Sequence, residues 1–270
     1  INAGGDETDP DAPVIPRDKA TELEGAVHIE EKGTLYLGLN GAASSWKGGT
    51  EGNAKGKVNL FLLNGATWDT SNGGRGSKIT NLSSHTGTEG HIRQNDAGKL
   101  HIENYAGRQK LFYTHTGDGT SSGDYAAGDT YIKRAATGSK ITMVTENTGN
   151  IDTQNEEQVQ KALNALAGKL YYDDARSGRT NLKGTAMIAE GLTASSVSKK
   201  TVDIFFRSSD GKGYTRDTVE NGNYKNFHGL DTGIDRSSNE TLTFDNFSGS
   251  ARFFYKHVND GTQTEDYGSD

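Results

Sequence analysis

The sequence contains one long module twice. Residues 100–126 and 242–268 align without a gap at an offset of 142, and eleven of the 27 aligned positions are identical. In the first copy these positions are Leu100, Asn104, Gly107, Phe112, Tyr113, His115, Asp118, Gly119, Thr120, Asp124 and Tyr125. A repeat of this length is typical of proteins that grow along one axis by stacking similar units. The second copy stops at Asp270, where the first runs on, so we expect the chain to be a slice of a longer protein.

The composition favours a thin, elongated core over a compact globule. Only 31% of the residues are hydrophobic, and 36 of the 270 are glycine, about twice the usual share. Disorder is the alternative for so polar a chain, but strand-like segments recur throughout. The chain has no cysteine, which excludes disulfides and thiolate metal sites. A net charge of -7 argues against nucleic acid as a general partner.

Residues 1–24 are predicted to be a linker or capping segment, because Pro10, Pro13 and Pro16 lie there among acidic residues. From residue 25 onwards the chain alternates short apolar-polar segments with Gly, Asn, Asp and Ser turns, which predicts strands of four to eight residues. Val58, Leu60 and Leu62 are expected on one buried face. No run of about 18 apolar residues occurs, so we expect no membrane-spanning segment.

One amphipathic helix is predicted over residues 154–167. Val159, Ala162, Leu163 and Leu166 follow the i, i+3, i+4, i+7 spacing of a helix face. Thr153 and Glu156 have the spacing of a capping box, and Gly168 is placed as a C-terminal cap.

The fold class predicted from these elements is all-β: a right-handed parallel β-helix, or β-solenoid, with the short helix packed on its side. Each rung of such a fold needs only a narrow apolar stripe, which suits the low hydrophobic content, whereas a sandwich of this length would need more. The predicted domains are a solenoid over 25–270, with the repeat module from about 100 and a truncated second copy from about 242.

Several long strings resemble a repeated module of bacterial type V autotransporter adhesins. They are GKLHIENYAGRQKLFYTHTGDG (98–119), GDTYIKRAATGSKITMVTENTGNIDTQNEEQVQKALNALAGKLYY (128–172) and NLKGTAMIAEGLTASSVSKKTVDIFF (181–206), with NGATW (64–68) upstream. The resemblance covers about residues 25–270. It implies an extracellular passenger segment, exported by type V secretion and held at the outer membrane of a Gram-negative cell, or secreted.

The function implied by the resemblance is attachment to host surfaces or other bacteria: adhesion, aggregation, biofilm formation and virulence. The segment would serve as a binding surface or as a stalk. Expected partners are a host-cell or matrix protein, a glycan or a partner-bacterium surface, with self-association as a further possibility. Neither nucleic acid nor direct membrane insertion is expected, and the family implies no catalytic motif, metal or cofactor.

Two sets of polar residues in the repeat are candidate sites. His115 and His257 recur in the same context and could bind a ligand or metal, but duplication of a structural histidine explains them more simply. Asp118 and Asp260 lie in DGT turns, with Asp124 and Asp266 six residues on. These carboxylates could bind calcium, but Asx turns account for them without a metal.

Aromatic residues and carboxylates raise two further hypotheses, one of binding and one of catalysis. Trp46, in a turn of small residues, is either an exposed anchor for a sugar or protein or, as we favour, the cap of a rung edge. The aromatic runs 111–113 and 253–255 are expected to stack inside.

The alternative function is a carbohydrate-active β-helix enzyme of the polysaccharide lyase type, which would need paired carboxylates in a cleft. No motif singles out such a pair, so the protein is expected not to be an enzyme and the ligand-binding residues stay unknown.

Overall fold

A computed structural model describes residues 20–50, 56–146, 151–152, 154–173, 181–188 and 201–203, together with shorter segments 213–215, 223–224, 227–236, 243–244, 247–255 and 259–263. The chain forms two compact units, Ile1–Leu170 with Asn181–Asp203, and Tyr171–Thr180 with Ile204–Asp270. Residues 1–19 of the predicted linker lie outside the described residues. The linker prediction for 1–24 overlaps the first strand, which begins at Glu22.

The described residues of the first unit, with β12 at its boundary, form fourteen strands and one α-helix in chain order. They are β1 Glu22–Glu24, β2 Thr34–Asn40, β3 Ser45–Lys47, β4 Lys57–Leu63, β5 Thr67–Asp69, β6 Ser77–Ser83, β7 Gly90–Gln94, β8 Leu100–Ala106, β9 Arg108–Thr114, β10 Thr130–Ala135, β11 Ser139–Glu146, α1 Glu156–Ala167, β12 Leu170–Tyr172, β13 Leu182–Ile188 and β14 Thr201–Asp203. Successive strands of the chain alternate between two sheets. One has the order β1-β3-β5-β7-β9-β11-β13-β14 and the other β12-β10-β8-β6-β4-β2.

The pairing within these sheets is parallel, except that β14 runs antiparallel to β13. The core lies along the inward faces of the strands, where side chains of neighbouring strands meet in register. In the eight-stranded sheet, Trp46, Trp68, Ile92, Leu111 and Met143 occupy successive register positions. All five are at most 2% exposed, so apolar burial along this row holds the strands together. The predicted burial of Val58, Leu60 and Leu62 in β4 is confirmed.

The predicted helix is confirmed, although it begins two residues later than expected. Its cap is Asn155, whose Oδ1 accepts a hydrogen bond from the Gln158 backbone N–H at 3.1 Å. The predicted capping box with Thr153 is therefore wrong, because Asn155 fills the position that binds the free N–H groups. Thr153 itself lies outside the described residues. Gly168 is the C-terminal cap, but with φ −62° it keeps a right-handed conformation.

The predicted fold class is wrong. The helix is not an accessory on the side of an all-β stack: α1 packs against β11 and β13, and Val159, Ala162, Leu163 and Leu166 are at most 1% exposed. Its apolar stripe belongs to the core of the first unit. The described structure is therefore an α/β-type arrangement of two parallel sheets with a core helix, and this replaces the all-β right-handed parallel β-helix.

The second unit contains β15 Gly213–Thr215, β16 Asn223–Tyr224, β17 Phe227–Arg236, β18 Thr243–Phe244 and β19 Phe247–Tyr255. β15, β17 and β19 form one parallel sheet, and β16 and β18 form another. The second copy of the repeat thus places a short strand and a longer strand in two separate sheets, as β8 and β9 lie in separate sheets in the first copy.

Gly107, one of the repeated residues, connects β8 to β9 in a way that only glycine allows. Its φ is +85°, and a Cβ at this position would overlap the Ser84 side chain and come within 2.7 Å of the Ser84 carbonyl oxygen. A left-handed backbone and a close approach to the preceding loop both exclude a side chain here. This accounts for the presence of glycine at this repeated position.

Candidate binding face

The six-stranded sheet carries a row of asparagines on successive strands. Asn59 of β4 is opposite Asn81 of β6, which is opposite Asn104 of β8. Asn81 Nδ2 donates to Asn59 Oδ1 at 2.5 Å, and Asn104 Nδ2 donates to Asn81 Oδ1 at 2.9 Å. We call these three residues the asparagine row. Tyr36 and Arg134 occupy the next register positions at its two ends.

The asparagine row coincides with an interruption in the pleat of the strands. In β6 and β8, buried and partly exposed residues alternate up to a point where two partly exposed residues follow each other. These pairs are Thr80–Asn81 in β6 and Glu103–Asn104 in β8. A side-chain amide at this point can donate hydrogen bonds to backbone carbonyl groups. Asn59 Nδ2 donates to the Leu35 carbonyl at 3.3 Å, and Asn104 Nδ2 also donates to the Thr80 carbonyl at 3.2 Å.

A groove of about 280 Å³ lies beside the row, lined by Asn81, Leu82, Ser83, Asn104, Tyr105, Ala106, Arg134, Ala135 and Ala136. Ser83 is opposite Ala106 on the neighbouring strand, and Ala136 directly follows β10. These small side chains keep the groove open. Amide oxygens with spare lone pairs and an exposed guanidinium therefore border a concave surface, an arrangement that can hydrogen-bond a polar ligand.

Arg134 is the charged group of this groove. It is exposed, and within the described part of the chain no hydrogen bond or ion pair engages its guanidinium. Lys133 beside it is paired instead with Glu103, Nζ to Oε1, at 3.1 Å. The hydrogen bond from Lys133, with the charges of Lys78 and Arg134, holds the pKa of the Glu103 carboxyl below its usual value despite partial burial.

Aromatic rings lie at the other margin of the same strands. Lys78, His101 and Tyr131 are register neighbours on β6, β8 and β10. The His101 and Tyr131 rings stack at 5.0 Å with an interplanar angle of 13°, and Lys99 Nζ lies 5.2 Å from the Tyr131 ring centre. This geometry fits a cation–π contact, so one positive charge is held over an aromatic platform.

The outer face of the opposite sheet also carries cations. Arg93 is paired with Glu146 and lies 5.1 Å from the centre of the Phe112 ring, and His91 packs edge-on against Phe112 at 5.3 Å. Burial lowers the pKa of His91; Glu89 opposes this effect, and the positive charges of Lys110 and Arg93 add to it. Arg93 and Lys110 are each paired with a carboxylate, whereas Arg108, Lys140 and Lys183 are exposed neighbours in register on β9, β11 and β13.

Trp46 is a core residue, and its interpretation as an exposed anchor is wrong. It lies in β3, is 2% exposed and stacks on Trp68 at 5.3 Å with an interplanar angle of 8°. Its Nε1 donates to the Gly25 carbonyl at 3.0 Å, as Trp68 Nε1 donates to the Gly48 carbonyl at 2.8 Å. The stacking partner is 22 residues away along the chain, which is why the local run of small residues gave no sign of it.

His115 is also buried, at 1% exposure. Its Nδ1 is hydrogen-bonded to the Gly117 carbonyl at 3.0 Å, and its ring lies 5.9 Å from that of Tyr125. Nε2 makes no hydrogen bond to any described residue. Burial raises the pKa of Tyr125 to about 12, and the Tyr125 hydroxyl donates to the Gly119 carbonyl at 3.4 Å. His257 lies outside the described residues.

The carboxylates that could have bound calcium are used in turns. Asp118 Oδ1 accepts from the backbone N–H and the hydroxyl of Thr120 at 3.0 and 2.7 Å. Asp260 makes the same two contacts with Thr262 at the same distances. Asp124 Oδ2 accepts from the Ser121 backbone within a capped 3-10 turn. In the described segments no three His, Asp or Glu side chains group as metal ligands, and Asp266 lies outside them.

The aromatic runs are only partly inside the fold. Leu111 and Tyr113 are fully buried, but Phe112 between them points outward beside Arg93. In the second copy, Phe253 is 40% exposed. The prediction that both runs stack inside is wrong for Phe112, because alternate residues of a strand face opposite sides of its sheet. It is also wrong for Phe253, although Phe253 aligns with the buried Leu111 of the first copy.

Comparison with known proteins identified no relative of this chain. No protein-family model, curated protein or solved structure matches the chain. No described helix is both long and apolar enough to cross a membrane.

The sequence analysis missed the asparagine row. Its signal was present: Asn59, Asn81 and Asn104 recur at intervals of 22 and 23 residues. That interval is the length of chain between neighbouring strands of one sheet. A search for polar residues at this period, rather than for metal or catalytic motifs, would have found the row.

Proposed function

We propose that this chain is an extracellular passenger segment of a bacterial type V autotransporter adhesin, with a binding rather than a catalytic role. The observation that carries the proposal is the ordered outer face of the six-stranded sheet, where Tyr36, the asparagine row and Arg134 follow each other in register. Hydrogen bonds hold the three amides in an even row. Asn59 is buried, and an open groove lies beside Asn81, Asn104 and Arg134. These properties suit non-covalent attachment to a repetitive surface.

The proposed partners are host-cell or matrix proteins, glycans, or the surfaces of other bacteria, and the proposed location is the bacterial cell surface. The resemblance of residues 25–270 to adhesin modules supports this choice, as does the internal repeat. Repeated weak sites along one molecule raise the overall affinity for a surface without any new contact.

The proposal is tested by coating beads with the purified chain and measuring attachment to epithelial cells, matrix proteins, glycans and bacteria. We expect saturable attachment that the soluble chain inhibits. An Arg134→Gln chain serves as the matched variant, and Lys183→Gln, an exposed lysine of β13 in the other sheet, serves as its control. Absence of attachment across the whole panel would refute a direct binding role for these residues.

A further inference from the structure

The outer face of β6, β8 and β10 concentrates positive charge on an acidic protein. Lys78, Lys133 and Arg134 are exposed on these strands, and Lys99 is exposed immediately before β8. We call these four residues the basic face. Glu103 is the one acidic residue in the three strands, and Asp129, immediately before β10, is paired with Lys169. The whole chain carries a net charge of -7. The local charge is therefore opposite in sign to that of the chain.

Among the described residues, no ion pair engages three of these four side chains. The ion pair with Glu103 occupies Lys133, which leaves Lys78, Lys99 and Arg134. Lys99 is held over the Tyr131 ring, and Arg134 lines the groove. The lowered pKa of Glu103 is consistent with a positive local field. The three remaining cations would attract an anion, and a chain of anions more than a single one.

The groove and the aromatic platform narrow the class of anion. A guanidinium binds a carboxylate through two parallel hydrogen bonds. The amides of Asn81 and Asn104 have acceptor capacity suited to hydroxyl groups. The His101 and Tyr131 rings stack on each other and Lys99 lies over Tyr131, so the platform contributes a positioned cation.

We propose that the basic face and its groove bind a linear polysaccharide that carries carboxylates, such as a polyuronate. This inference rests on the proposed adhesive function and names the ligand class of that same surface. Neighbouring strands are about 4.8 Å apart, close to the length of one sugar along a polysaccharide. A chain laid across the strands would place successive sugars over Asn81, Asn104 and Arg134, with a carboxylate at the guanidinium.

Charge density favours a polyuronate over nucleic acid. Duplex DNA carries one negative charge per about 1.7 Å, far denser than Lys78, Lys99 and Arg134, which lie at different register positions on or beside β6, β8 and β10. A polyuronate has at most one charge per sugar, so its sparser charge is closer to that of this face. The net charge of -7 would also repel a dense polyanion beyond the basic face.

The test is calorimetric titration of the full chain with polygalacturonate and alginate, with neutral dextran and duplex DNA in parallel. We expect the two polyuronates to bind saturably, with an affinity that falls as salt is raised, because salt screens exposed charges. Dextran is expected not to bind, and DNA to bind more weakly than either polyuronate. Equal or tighter binding of DNA, or equal binding of dextran, would overturn the assignment.

Variants locate the site. Arg134→Gln is expected to weaken polyuronate binding roughly tenfold or more, since hydrogen bonds to charged groups are among the stronger ones. Ala106→Phe, which fills the groove without changing charge, is expected to weaken it similarly. Lys183→Gln removes an exposed charge from the other sheet and should leave affinity unchanged. Equal losses in the Arg134 and Lys183 variants would show a nonspecific charge effect and reject the site.

The outcomes separate this inference from the proposed function. If the beads still attach to cells or matrix while neither polyuronate binds, the ligand class is wrong and adhesion stands. If the beads do not attach and neither polyuronate binds, both the ligand class and the adhesive function are refuted. Release of unsaturated uronate ends during incubation would uphold the ligand class while replacing the adhesive role with the lyase alternative.

Discussion

Replacement of Trp68 with alanine should remove a large part of the stability of the first unit. The Trp68 side chain is 0% exposed and lies flat against Trp46, with ring centres 5.3 Å apart. Its Nε1 donates to the Gly48 carbonyl at 2.8 Å. The substitution therefore removes a buried ring, its stacking contact and a buried donor together.

The expected loss is about 3–5 kcal/mol in the free energy of unfolding, the range for large aromatic side chains truncated in a core. Within it, the stacked pair contributes roughly 0.5–1.5 kcal/mol. Collapse of the backbone around Gly48 would reduce the loss, but Gly48 already contacts Gly25 so closely that a Cβ would not fit. The cavity should therefore persist. Trp68→Phe keeps a ring but loses the donor, and should cost about 1–2 kcal/mol.

Urea unfolding followed by circular dichroism measures these losses, and fluorescence provides a second probe because Trp46 is then the one tryptophan left of the two in the chain. The double substitution of Trp46 and Trp68 closes a cycle that isolates the stacking energy. Tyr36→Ala is the matched control: Tyr36 is 56% exposed and should cost less than about 1 kcal/mol. A loss for Trp68→Ala no larger than for Tyr36→Ala would refute the argument from core stacking.

Three further changes test backbone and charge in the same unit. Gly107→Ala should cost at least about 1 kcal/mol more than Gly87→Ala, since both have positive φ but only Gly107 meets a neighbour, Ser84; equal urea midpoints for the two would contradict this. Burial lowers the pKa of His91, so its stabilising contribution is present above about pH 6.5 and lost as pH falls through the lowered pKa. His91→Gln should therefore reduce the change of the urea midpoint with pH over that interval. The same pH dependence in the variant and the parent chain would count against this. Tyr125, with a pKa raised to about 12, contributes stability below about pH 10 that is lost as pH rises towards 12. Tyr125→Phe should therefore move alkaline unfolding, followed by circular dichroism, to higher pH. An unchanged unfolding pH would show that ionisation of Tyr125 does not contribute to it.

Alternation of apolar residues was enough to predict the long strands but not the short ones. β4 has three apolar residues on one face, Val58, Leu60 and Leu62, and their burial was expected. β7, GHIRQ, has one apolar residue, Ile92, and was missed. Its strand conformation depends on a register position between Trp68 and Leu111 on neighbouring strands, which is tertiary information that no local pattern contains.

The helix was predictable, but its place in the fold was not. Its i, i+3, i+4, i+7 stripe correctly identified Val159, Ala162, Leu163 and Leu166 as one face. The same stripe fits a helix resting on a finished stack and a helix that completes the core, because periodicity gives the face and not what the face meets. Contact with β11 and β13 decides between these, and it places the helix within the core.

The candidate binding face shows how whole-chain averages hide local chemistry. A net charge of -7 directed attention away from anionic ligands, yet Lys78 on β6 and Arg134 on β10 lie on one face because successive strands of the sheet are brought side by side. Residues one strand apart in space are 22 or 23 positions apart in sequence along the asparagine row, and the interval between Asn104 and Arg134 is longer because the loop before β10 intervenes. Charge counted along the chain therefore mixes the two sheets and the turns. When charges are summed over neighbouring strands of one sheet, the two sheets and the turns are treated separately. Summed in this way, the face of β6, β8 and β10 is basic, as the proposed carboxylated ligand requires.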